Sequence, residues 1–93
     1  MNIYVSIGNS DDKLSQRDWA EYVDEIRSVL RDSASKVLGE WYSANDSQWQ
    51  NACFCISIPE TAVTATRTRL ADIRKRHDQD SVAWSDVSDT QFI

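Results

Sequence analysis

The chain has 93 residues, enough for one domain over 1–93 and too few for two separate cores. Ten basic against fifteen acidic side chains give a net charge of −5, which argues against nucleic acid and anionic membrane as default partners and fits a basic protein surface. Two cysteines make no disulfide framework, and the start of the chain shows neither a basic leader nor a long apolar run, so a reduced, cytoplasmic setting without a signal peptide or membrane span is expected.

Ile3, Val5 and Ile7 alternate with Tyr4 and Ser6, the period of a strand. Residues 8–13 form a turn-rich loop. A helix starts near Ser15, with Asp18 three positions on as a capping partner. Trp19, Tyr22, Val23, Ile26, Val29 and Leu30 recur at helical spacing and give the clearest amphipathic pattern in the chain, ending around residues 32–35. Residues 36–42 read as a second strand. It turns through Asn45 and Asp46 into residues 49–59, the longest run with strand character.

A turn centred on Asn45 and Asp46 sets Tyr42 opposite Trp49, Glu40 opposite Asn51, Leu38 opposite Cys53 and Lys36 opposite Cys55. Val37, Gly39, Trp41, Ala52, Phe54, Ile56 and Ile58 then share the apolar face under the helices. Gly39 opposite Ala52 leaves a shallow spot for a helix. Pro59 stops the strand. A second helix runs from Glu60 or Thr61 to Arg76, with Val63, Thr66, Leu70, Ile73 and His77 along its inner stripe. Arg74, Lys75 and Arg76 complement the dipole at its end. Val82 and Trp84 belong to a short last strand, followed by a tail over 86–93.

The order strand, helix, strand, strand, helix, strand predicts a ferredoxin-like α+β sandwich. Its antiparallel four-stranded sheet has order 4-1-3-2 and both helices on one face. The strand at 49–59 is then central.

That topology gathers three polar segments at one edge: 8–13, 45–51 and 78–81. Five aspartates arrive there, Asp11, Asp12, Asp46, Asp78 and Asp80, together with Asn9, Asn51, Gln79 and the ring of Trp49. Oxygen ligands suit Mg²⁺ or Ca²⁺, so Asn9, Asp11, Asp12, Trp49, Asn51, Gln79 and Asp80 form a candidate ligand edge. The plainer reading is that Asp, Asn and Ser serve the turns and caps themselves, with Arg74 to Arg76 pairing the aspartates.

The open side of the sheet carries a second candidate surface, with Tyr4, Leu38, Tyr42, Cys53 and Cys55 as partner contacts. These residues are too apolar to be left wet, which suggests docking or sheet-to-sheet homodimerisation. The competing reading is a tail folded back so that Phe92 and Ile93 cover that side.

Other chemistries lack their parts. Zinc needs about four ligands, and Cys53 with Cys55 has only His77 as a further donor, remote by topology. The same distance denies either cysteine a catalytic base. The RNA-recognition pattern fails because the third strand lacks its basic–glycine–aromatic signature. The second helix carries Arg67, Arg69, Arg74, Lys75 and Arg76, a charge run that reads first as a solvated face. No glycine loop for phosphate is present, and no cofactor or resident metal is implied.

Three segments, Ile-Gly-Asn-Ser-Asp-Asp-Lys-Leu at 7–14, Trp-Gln-Asn-Ala-Cys-Phe-Cys at 49–55 and Gln-Asp-Ser-Val-Ala-Trp at 79–84, resemble those of a group of small proteins from actinobacteria and their phages. The resemblance implies no activity. It implies a cytoplasmic or phage-encoded context, in which small acidic proteins often occupy the surface of a host protein. The expected function is therefore a non-catalytic binding module for protein docking or homodimerisation, with a phage-encoded inhibitor of a host protein as one such role. The alternative is a small-ligand or divalent-metal-dependent nucleotide site at the aspartate-rich edge, and nucleic-acid binding through the second helix stands third.

Overall fold

A computed structural model describes residues 1–87 and 91–93. Its architecture is mixed α+β, a four-stranded antiparallel sheet with two helices. The elements are β1 (Asn2–Gly8), α1 (Gln16–Ser33), β2 (Lys36–Tyr42), β3 (Asn51–Ser57), α2 (Val63–Arg76) and β4 (Ala83–Asp86), with single 3₁₀ turns at Ser10–Asp12 and Glu60–Ala62. The sheet order is β2-β3-β1-β4, so β3 is interior as its apolar run requires.

The local signals act where expected. Ser15 caps α1, its side chain accepting the Asp18 N–H at 3.1 Å. The stripe of Trp19, Tyr22, Val23, Ile26, Val29 and Leu30 is buried, and Thr66, Leu70 and Ile73 of α2 join it. One core results, in which these side chains meet Ile3, Val5 and Ile7 of β1 and Ala52, Phe54 and Ile56 of β3. Pro59 lies just beyond β3 and opens the turn into α2. Trp84 of β4 lies under Arg67 of α2, whose guanidinium sits 5.7 Å from the ring centroid.

The register of β2 departs from expectation, and the departure has a single cause. Lys36 pairs with Ser57 and Val37 with Ile56, but the next pairs are Gly39 with Cys55, Glu40 with Phe54, Trp41 with Cys53 and Tyr42 with Ala52. Leu38 is the extra residue of a β-bulge. An inserted residue reverses the alternation beyond it. Val37 therefore stays on the core side, while Gly39 and Trp41 turn to the open side and Glu40 and Tyr42 to the helix side. The expected pairings of Tyr42 with Trp49, Glu40 with Asn51, Leu38 with Cys53 and Lys36 with Cys55 are replaced. Gly39 offers no seat for a helix, since a Cβ added there would meet nothing within 4 Å.

Two further boundaries shift. The ladder opens at Asn51, leaving Trp49 in the connection before β3. The tail assigned to 86–93 is shortened, because Asp86 pairs with Ile3 and the Val87 N–H donates to the Asn2 carbonyl at 3.0 Å. Part of that tail, 88–90, lies outside the described residues. Phe92 and Ile93 are fully exposed and cover none of the sheet.

Candidate docking face and adjoining recess

The open side of the sheet is built from cross-strand rows. Trp41, Cys53, Ser6 and Ala83 form one row across all four strands, and Gly39, Cys55, Tyr4 and Ser85 form the next. Lys36, Ser57 and Asn2 continue toward one end, and Asn51 faces Gly8 at the other. Among these positions Lys36 is the only charged residue, on a chain with 15 acidic and 10 basic side chains. Ordinary solvent-facing sides of antiparallel sheets alternate in charged and polar residues, and exposed sheets use charge to discourage association. Across the two full rows the side chains are aromatic, thiol, hydroxyl or nearly absent.

Two rings stand out of this face. Trp41 is 56% exposed and Tyr4 44%. Both cysteines are free and half-buried between them. The Ser6 hydroxyl donates to Cys53 Sγ at 3.4 Å. Cys55 raises the pKa of the Tyr4 phenol, first by hydrogen bonding and then through the thiol's own charge when ionised. Of the residues expected here, Tyr4, Cys53 and Cys55 are in place and Leu38 sits exposed at the bulge.

Tyr42 is not part of this surface. Its hydroxyl accepts from Arg27 Nε at 3.1 Å and Nη2 at 2.7 Å and donates to Glu40 Oε2 at 2.7 Å, and its ring meets Phe54 edge-on at 5.9 Å. The group clamps β2 to α1. Trp41 takes its place on the open face, and only the bulge could have revealed it.

The polar edge resolves into two parts. Asn9 is buried and spent on its own loop, its amide oxygen accepting from the Leu14 N–H and its nitrogen donating to the Leu14 carbonyl, both at 2.9 Å. The same nitrogen reaches Gln50 Oε1 at 3.3 Å, and Gln50 donates to Gln16 at 2.7 Å. Gln79 is equally committed, accepting the Ser10 N–H at 2.7 Å and donating to the His77 carbonyl at 3.1 Å. These amides staple three loops together. Gln50 is buried at the centre of that staple, and a run of polar residues around it hides the signal.

The aspartates do not converge. Lys13 lies 3.9 Å from Asp78 and 3.8 Å from Asp80, taking the role expected of Arg74 to Arg76. Arg74 instead donates to the Gln79 carbonyl at 3.0 Å, and Arg76 pairs with Glu25 at 3.3 Å. Asp11, Asp12 and Asp78 occupy left-handed backbone positions with φ of 54°, 54° and 53°, where aspartate is tolerated far better than most side chains. Among the described residues no group of three or more His, Cys, Asp or Glu is placed to hold a metal ion. His77 is engaged on the helix side, 2.7 Å from Glu25 and with its ring 5.0 Å from that of Tyr22.

A recess of about 460 Å³ remains where this edge meets the open face. Asn9, Asp11, Trp49 and Asn51 line it, with Ser6, Gly8, Ser81 and Ala83 beneath, whereas Asp12, Gln79 and Asp80 do not reach it. The Asn51 amide and the Ser47 hydroxyl donate to the Trp49 carbonyl at 3.0 and 3.2 Å, which fixes the backbone and leaves the indole 64% exposed.

No helix among the described residues is long and apolar enough to cross a membrane. No protein-family model matches the chain, and no curated protein matches its sequence.

Proposed function

We propose that the protein is a non-catalytic binding module that docks on another protein chain through the open side of its sheet. We read the architecture as a ferredoxin-like sandwich, order 4-1-3-2 from the β4 edge, with both helices on one face and the other left for a partner. The observation that carries the reading is the near absence of charge across two full cross-strand rows, with Trp41 and Tyr4 raised above small neighbours. Aromatic anchors ringed by small residues and depleted of carboxylates are the composition of interface centres. A cytoplasmic, phage-encoded inhibitor of a host protein is one role consistent with this surface and with the resemblance of the three segments.

The test is affinity capture with three forms of the chain: wild type, Trp41→Glu on the open face and Arg17→Glu on exposed α1. A partner held by wild type and Arg17→Glu and released by Trp41→Glu supports the reading. A partner held equally by all three overturns it.

A second reading rests on the recess, where Asn9, Asp11, Trp49 and Asn51 come together beside a free indole face. It makes the edge a small-ligand site for a nucleotide, stacked on Trp49. Titration with nucleotides, with and without Mg²⁺ or Ca²⁺, should quench tryptophan fluorescence in wild type and leave the emission of Trp49→Ala unchanged. Unchanged emission across all of them overturns the reading.

A further inference from the structure

From the shape of the open face we infer that its occupant is a second copy of this chain, packed sheet against sheet about a two-fold axis that runs along the strands between β1 and β3. This inference rests on the docking reading and names the partner.

The first support is self-complementarity. A two-fold axis lying in the interface along the strands reverses the strand order of one copy over the other while keeping each cross-strand row over itself. Trp41 on β2 then falls over Ala83 on β4, and Cys53 over Ser6. In the next row Tyr4 falls over Cys55, and Gly39 over Ser85. Each ring meets a smaller side chain, and neither row sets two rings against each other. Such interdigitation is what aligned sheets need to pack. The recess offers a seat for Trp41, because Ser6 and Ala83 are among the residues that line it.

Charge is the second support. Two copies each carrying −5 repel over most of their surfaces. The open face is where that repulsion is weakest, since its rows carry no carboxylate. The two Lys36 side chains are sent to opposite edges by the axis, so no like charges are opposed. A basic partner, by contrast, would call for acidic residues in these rows, and the two rows hold none.

The test is sedimentation equilibrium on the intact chain across micromolar concentrations, at about 0.15 M and about 0.5 M salt. A dimer of twice the 10.6 kDa chain mass is expected. It should tighten at the higher salt, because screening removes the repulsion between two acidic copies. Trp41→Glu and Gly39→Lys should each weaken it by at least ~30-fold, the first by removing an aromatic anchor and the second by placing a charge in the contact. Neither change strains the monomer: Trp41 is exposed, and a Cβ added at Gly39 meets nothing within 4 Å, so a lysine can leave toward solvent. Circular dichroism checks that both variants fold. A thiol reagent provides an independent readout, since Cys53 and Cys55 should react more slowly as the dimer fills. A wild type that stays monomeric overturns the second-copy inference alone, leaving the face free for a different chain. A dimer that survives Trp41→Glu and Gly39→Lys also overturns the second-copy inference, because association would then use another surface, while the docking reading stands or falls on the capture experiment.

Discussion

The two sides of the sheet are made from the same strands and obey opposite rules. Along β3, Ala52, Phe54 and Ile56 are almost wholly buried, while Asn51, Cys53 and Cys55 between them are half-exposed. The helix side is a packed core, and its partners are already in the chain. The open side keeps rings, thiols and hydroxyls but almost no charge, although charge is abundant elsewhere. Alternation alone explains the first side, since it puts apolar residues inward. It does not explain the second, because solvation calls for the charged residues that are absent. The difference separates what the fold needs from what a partner would need.

That contrast is most exposed to failure at Phe54 and Cys53, neighbours on β3 with opposite directions. Phe54 is fully buried and packs against Tyr42. Phe54→Ala should cost ~3–5 kcal/mol through lost burial and a cavity. Cys53→Ala should cost under ~1 kcal/mol of chain stability, since only a weak Ser6 contact is lost. Urea denaturation of both variants, at concentrations low enough to exclude association, measures the gap. Equal costs would mean that the open side is as structural as the core.

The seam between the two sides is held by Asn9. Asn9→Ala removes both part-buried bonds to Leu14 and leaves the buried Gln50 Oε1 without its Asn9 partner. The expected cost is ~2 kcal/mol, with faster amide exchange at Leu14. A change within ~0.5 kcal/mol would return Asn9 to the pool of residues free to bind a ligand.

The helix side has one flaw, and it sharpens the comparison from the other direction. The Tyr22 hydroxyl is buried with no hydrogen-bond partner among the described residues. Burial, partly opposed by Arg74, pushes its pKa up to about 12. Tyr22→Phe should stabilise the chain by ~1 kcal/mol, because an unsatisfied buried hydroxyl is removed and the ring stays. The pH dependence follows the same group. With the folded pKa raised above the ordinary tyrosine value, stability is intact below about 10 and falls as pH rises toward about 12. In Tyr22→Phe that alkaline loss should be shallower, the remainder coming from Tyr4 and Tyr42, whose pKa values are also raised.

How much of this was legible in the residues depends on whether the signal is periodic. The stripe of α1, the Ser15 cap, the bounds of β2 and the central place of β3 all follow from spacing and came out as expected. The bulge at Leu38 leaves no periodic trace, because one inserted residue looks like any other in a strand. Yet it decides which side of the sheet Trp41 and Tyr42 occupy. The aspartates were legible as a cluster in topology but not in space. Three of them serve left-handed backbone positions, and two share Lys13. Asn9 and Gln79 read as free amides because their partners lie in loops remote in sequence.

The smallest effect tests whether the charges of the helix side do more than keep the chain in solution. Glu25 of α1 accepts from Arg76 and meets His77, both at the end of α2. Partial burial pushes its pKa up, but hydrogen bonds from His77 and Arg76, with their charges, outweigh burial and hold it below the usual glutamate value. A depressed folded pKa stabilises the fold above the unfolded value and loses that contribution as pH falls through the folded one. Glu25 is partly solvated, so the contribution at neutral pH should be a few tenths of a kcal/mol. Glu25→Gln should lose it at pH 7, and the two stability curves should merge on acidification below the ordinary glutamate range. Curves that run parallel at every pH would show that the two helices are joined there by packing of Tyr22 and His77 rather than by the ion pair.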